Sequence, residues 1–367
     1  MSAAQRDEQD NTQGTAQADT QADTQAVAPP PARRLVAVIV LVPVIVALAL
    51  WAFAWPAARI APRDLPVGVA GPAAATAPLQ QRFEEREGAF DVHRYDDADA
   101  ARTAIEDRVV YGAVVVTPKG PELLTASAAS PVVAQLLREA VTAQAPPGTQ
   151  VKVTDVVAAP AADPRGSALG ASVLPLAITG VATGAVVTLV GLRGARGALA
   201  LVGGSALVGI TAAGIAHSWL GIVTGGWWAE AGAIGLTVLA VGSAVAGIAA
   251  LVGRAGIGIG ALLIVLLGNS FSGVTSAPQL LPEPAGAIGQ WLPPGAGGSL
   301  LRSVAFFDGH AAQGPVLALC LWVMLGLAAV LVGGRRRPTT PAAGDETPAP
   351  RTPEPTPAPA PPPAPVR

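Results

Sequence analysis

The sequence predicts a polytopic α-helical membrane protein, with about six transmembrane helices and an extracytoplasmic α/β domain between the first and second. Three observations lead there. Apolar stretches divide the chain, arginines collect at alternate ends of them, and the block 56–167 has the alternating texture of short strands and helices.

The spans come first. A helix needs roughly 20 predominantly apolar residues to cross about 30 Å of hydrocarbon. The stretches 35–55, 168–192, 197–217, 231–252, 256–270 and 315–333 each approach that length, the fifth being the shortest. Arg33 and Arg34 precede the first, Arg193 and Arg196 join the second to the third, Arg254 joins the fourth to the fifth, and Arg335, Arg336 and Arg337 follow the sixth. Short cytoplasmic loops carry the excess of positive charge. Both termini are therefore expected in the cytoplasm, with the chain multi-pass in a plasma membrane. Of the short loops on the other side, the turn around Gly225 and the segment 276–314 hold only Arg302, while Arg59, Arg63 and Arg165 border the long translocated domain. A cleaved signal peptide ending at Ala52-Phe53-Ala54 is the rival for the first stretch, but its apolar run is longer than the usual h-region of about 7–15 residues.

The block 56–167 reads element by element. Residues 66–70 suit a short strand ending at Gly71-Pro72, and Thr76 and Pro78 open a helix carrying Leu79 and Phe83 on one face. Residues 90–95 form a second strand. Asp97 caps a helix on which Ala98, Ala101 and Ile105 share a face. The β-branched run 111–117 is a strand, followed by another at 122–126. Ser130 and Pro131 supply an N-cap and a first helical residue for a helix through Gln144, with Val133, Leu136, Leu137 and Ala140 inward, and 151–157 closes the block as a strand. That order places helices on a small mixed sheet. The remaining segments are the disordered tails 1–34 and 335–367, poor in apolar residues, the second rich in proline, and a membrane domain 168–334 with a re-entrant or interfacial loop at 276–314.

Composition narrows the function. The chain is 51% hydrophobic and 13% charged, with a net charge of −2, which suits membrane lipids as partners and gives no footing for nucleic acid. Cys320 is the single cysteine, so no intrachain disulfide or cysteine-based metal site can form. The acids of the α/β block sit at helix caps and solvated faces, and His93 stands without a second histidine. Apart from Glu230, the spans hold no Asp, Glu, Lys or Arg, the groups that ion-coupled transport uses. The two lysines, Lys119 and Lys152, lie in no Walker A loop. His217 with Ser270 or Ser272 lacks the surrounding motif of an intramembrane protease. No catalytic, cofactor-binding or metal residue is assigned, and the chain is not read as an enzyme. The spans carry instead small residues at helix-packing spacing: Gly180 with Gly184, Ser205 with Gly209, Ser243 with Gly247, Gly256 with Gly260.

The runs 65–71 (LPVGVAG), 101–107 leading into Tyr111-Gly-Ala-Val-Val-Val, 124–131 (LTASAASP), 268–278 (GNSFSGVTSAP) and 289–302 (GQWLPPGAGGSLLR) resemble the ABC transporter permeases of the type-2 exporter class. The resemblance is to the phage-infection-protein-like branch and covers about 35–334. It implies a permease subunit moving an unidentified substrate, a separate ATP-binding subunit as partner, and a homo- or hetero-oligomer. It also implies that the segment before the last span dips part-way into the outer leaflet, which Pro282, Pro284, Trp291, Pro293 and Pro294 fit. The link 192–197 is too short for the cytoplasmic coupling helix of such permeases, so docking falls to the arginine-rich span ends and tails. The alternative is a non-transporting envelope protein whose α/β domain binds a partner or a cell-surface component.

Overall fold

A computed structural model describes residues 32–118, 120–144 and 151–333. The expected tails, with Arg335 to Arg337, lie outside the described residues apart from the helical start at 32–34. The chain divides into two compact units after Arg59. In the first, α1 (Ala32–Ala57) is one continuous apolar helix despite Pro43, with Trp51 and Trp55 stacked 5.5 Å apart one turn from each other.

The second unit opens with the sheet. Its elements are β1 (Leu65–Ala70), α2 (Ala73–Glu84), β2 (Phe90–Tyr95), α3 (Ala98–Glu106), β3 (Gly112–Thr117), β4 (Gly120–Thr125), α4 (Pro131–Gln144) and β5 (Lys152–Asp155). The strand order is β2-β1-β3-β4-β5, parallel except for the β3–β4 hairpin. Alternation along the strands separates two cores. Leu65, Val67 and Val69 of β1 face the side covered by Phe83 of α2 and by Val133 and Leu137 of α4, while Ala70, Ala113 and Val115 face Ala101, Ala104 and Ile105 of α3. The caps read from the sequence are in place: Asp97 Oδ1 accepts from the Ala100 amide at 2.8 Å, and Ser130 Oγ from that of Val133 at 3.2 Å.

The rest is helical: α5 (Ser167–Leu189), α6 (Gly194–Ala213) prolonged by a π-turn (Gly214–Trp219), α7 (Trp227–Val252), α8 (Ala255–Ala261) prolonged by a second π-turn (Leu262–Gly268), α9 (Ala285–Trp291), α10 (Pro293–Phe306) and α11 (Gln313–Gly333). With α1, five helices among the described residues are long and apolar enough to cross a membrane. The expected fifth span, 256–270, is the exception. Its helix Ala255–Gly268 reaches only about 21 Å at 1.5 Å per residue. The chain leaves the helical path just beyond it, where Gly273 takes φ +66° and a Cβ would stand 2.7 Å from the Pro278 nitrogen.

Helix α7 is the centre, packing against α5, α6, α8, α10 and α11. Small residues make this possible by letting backbones approach. A Cβ on Gly184 would lie 2.4 Å from the Gly242 carbonyl oxygen, one on Gly209 2.3 Å from that of Ala231, and one on Gly326 2.4 Å from that of Ser243. All four spaced pairs of the sequence lie at contacts with α7: Val241 faces Gly180, Gly235 faces Ser205, Gly326 faces Gly247, and Ala249 and Val245 face Gly256 and Gly260.

Candidate functional site

The segment between α8 and α11 folds into a helical hairpin. Leu292 is extended (φ −87°, ψ 146°), as a residue before proline prefers, and Pro293 and Pro294 fill the first helical positions of α10, where a missing N–H costs nothing. The two arms close tightly, with a Cβ on Gly295 placed 2.1 Å from the Gly289 carbonyl oxygen. Gly297 sits against Thr237 of α7, and the Trp322 indole of α11 donates to the Trp291 carbonyl at 2.8 Å. Thr237 and Trp322 lie ten and nine residues along their helices, so these contacts stand about 14 Å from the starts of α7 and α11. At the other end of α10, Val304 lies against Gly225, just before α7 begins.

The α/β domain grips this hairpin from the side opposite its tip. Backbone 61–63 pairs with the 3₁₀ turn Pro278–Leu280 through Ala61 N to Leu280 O (3.1 Å) and Arg63 N to Gln279 O (2.9 Å). The Tyr111 hydroxyl donates to Gln279 Oε1 at 2.9 Å. Arg108 Nη1 donates to the Ser299 carbonyl at 3.2 Å and to the Ser303 hydroxyl, and its guanidinium stands 5.2 Å from the centre of the Phe307 ring. Phe307 belongs to the core of the domain, as Ala277 and Leu280 do on the other face of the sheet. The loop 276–314, assigned from sequence to the membrane domain, therefore packs into both halves.

A cleft of about 240 Å³ remains where they meet, with Arg108, Tyr111, Gln279, Gln290, Ser299 and Arg302 among its lining. Arg302 is 5% exposed. It donates through Nη2 to the Val274 carbonyl at 2.9 Å, and its buried Nε has no partner. Burial, and then the nearby Arg108, lower its pKa to about 10. Burial raises the Tyr111 pKa above its ordinary value, against the pull of both arginines. Arg108 itself holds a left-handed backbone, φ +61°, rare for a residue with a Cβ.

No family model, curated protein or solved structure matches the chain.

A larger cavity of about 440 Å³ opens at the far end of the bundle, between the α5–α6 turn and the α7–α8 turn, with Arg193 and Arg254 in its wall. The residues weighed from sequence are scattered. His93 contacts Asp91 at 3.0 Å, and Cys320 is a free thiol. Ser270 and Ser272 donate to their own backbone, Leu266 O and Asn269 O, so neither is paired with His217. His217 meets Glu230 instead, at 2.8 Å. Glu230, expected at the edge of its span, is fully buried and also accepts from the Gly225 amide at 2.7 Å. The signal was present: His217 and Glu230 stand nearly equal distances from the α6–α7 turn, where antiparallel helices face each other. Among the described residues, no group of three or more His, Cys, Asp or Glu could hold a metal ion.

Proposed function

We propose that this chain is the membrane-embedded permease half of an ABC-type exporter, carrying an unidentified substrate across a plasma membrane. The hairpin α9–α10 carries the reading. A helical hairpin set between the long helices, directly before the last of them, is the feature that the resemblance to type-2 exporters implies for this stretch. In the proposed arrangement α1, α5, α6, α7 and α11 cross the bilayer. The arginine-bearing turns face the cytoplasm and the α/β domain stands outside. Helix α8 enters from the inner side, and the hairpin comes down from the outer side to meet it, where Pro294 lies against Gly268. Irregular backbone at that depth is tolerable because protein covers it: Pro293, Pro294 and Gly295 are buried.

The driving force comes from a second polypeptide, since the chain has no Walker A lysine and its spans carry no carboxylate besides Glu230, which His217 and the Gly225 amide engage. The cavity lined by Arg193 and Arg254 supports a docking place for an ATP-binding subunit. Purified alone, the protein should show no ATPase activity. Co-expressed with any nucleotide-binding subunit found to be encoded beside it, it should copurify as a complex that turns over ATP, and replacing Arg193 and Arg254 together by alanine should break the complex.

One observation favours a second reading. Only 190–193 separate α5 from α6, and only Gly253 and Arg254 separate α7 from α8, which leaves no coupling helix there. A non-transporting envelope protein, using the α/β domain to bind a partner or surface component, needs none. If no ATPase associates and deletion leaves export unchanged, that reading replaces the first.

A further inference from the structure

We infer that the cleft between the α/β domain and the hairpin is a binding site for a phosphate-bearing anion, held between Arg108 and Arg302. Two guanidinium groups line it, and no Asp or Glu does. The carboxylate nearest in sequence, Asp107, is engaged by His310 Nδ1 at 2.9 Å. Among the described residues neither arginine has an ion-pair partner. A buried cation without a counter-charge is costly unless something compensates it. Arg302 is the sharper case, because its carbonyl bond to Val274 fixes the side chain while Nε is left with its proton unused.

The donor set suits a tetrahedral oxyanion. Guanidinium N–H groups form the fork that phosphate oxygens accept, and they bind it more strongly than neutral donors. Gln279 accepts from Tyr111 through Oε1, which leaves its amide NH2 as a further donor in the wall. The volume, about 240 Å³, is that of several waters at about 30 Å³ each, enough for a phosphate group and part of what carries it. Lowering of the Arg302 pKa by burial agrees with a site that is electrostatically short of an anion. Pro315, in the first turn of α11, also lines the cleft, so in the arrangement proposed above it opens at the level of the outer lipid headgroups. A phospholipid headgroup and a soluble phosphate are therefore the two sources of the same chemistry. The inference does not require the chain to be a permease.

The test uses the full-length protein in a phosphate-free maltoside micelle, unfolded thermally and followed by tryptophan fluorescence. Inorganic phosphate at about 10 mM is compared with chloride of equal ionic strength, and dihexanoyl phosphatidylglycerol with dihexanoyl glycerol, which lacks the phosphate. A ligand that binds only the folded state raises Tm, here by about 3 °C or more. The rise should vanish in Arg302→Gln and in Arg108→Gln. A rise with the phospholipid alone assigns the site to a headgroup; a rise with inorganic phosphate as well assigns it to the phosphate group from either source. No rise with either compound in the unmodified protein, or an equal rise in both variants, overturns the proposal. If Arg302→Gln does not fold, the partly exposed Arg108 decides alone.

Discussion

Gly209 shows how much of the bundle rests on missing atoms. Its α-carbon faces the Ala231 carbonyl and the Gly235 backbone, so any side chain must push α6 away from α7. Gly203, on the same helix, has open space where a Cβ would go. Gly209→Val should therefore cost about 1–3 kcal/mol or more through overpacking, while Gly203→Ala should leave Tm unchanged or slightly raised. Thermal unfolding of both variants in one detergent is the comparison. Spacing alone made these glycines visible in the sequence, but it could not say which helix each one meets. Glu122 offers a titration at the same scale. Hydrogen bonds from Lys152 and Thr154 hold its pKa below 4.5, so its contribution is complete above that pH and is lost as pH falls through the lowered folded value. Glu122→Gln should cost about 0.5 kcal/mol at pH 7, since Lys152 is largely exposed, and the gap from the unmodified protein should close in acid.

At the scale of elements, local chemistry decided what could be read. Asp97 and the pair Ser130-Pro131 mark helix starts with bonds made inside the first turn, so the sequence located both helices. The strand order β2-β1-β3-β4-β5 was not legible, because parallel pairing is chosen by crossovers and by both faces together. The grip of Arg108 on Ser299 was equally hidden, joining residues 191 positions apart. Prolines and Trp291 pointed to a re-entrant or interfacial loop, and the depth proposed for it rests on its place along α11, which Trp322 sets by binding the Trp291 carbonyl. That depth can be measured. Trp291 is 60% exposed and stands about 14 Å along α11 from its start, which in the proposed arrangement is near the middle of a hydrocarbon layer of about 30 Å. In a variant keeping Trp291 as its sole tryptophan, nitroxides midway down the acyl chain should quench more than nitroxides at the headgroup. The reverse order would mean that the hairpin lies at the surface.

For the whole molecule, the first question is which side each half faces. In a Cys320→Ala background, a cysteine replacing exposed Ala100 on α3 should react with an impermeant thiol reagent applied to sealed cells, and one replacing Ala195 near the start of α6 should not. Labelling of the second position alone would invert the proposed topology. The arginine distribution made this reading possible before any fold was known. By contrast, the shortness of α8 was only hinted at, because its ending depends on Gly273 turning beneath Pro278. The encirclement of α7 sets a limit on motion. A helix held against five neighbours by close glycine contacts cannot slide or rotate without parting all of those seams at once, so any rearrangement of the bundle must pivot around it. Amide deuteration should follow that hierarchy, proceeding slowest between Val238 and Ala246 and fastest near the ends of α6 and α11, which makes α7 the stationary axis of the bundle.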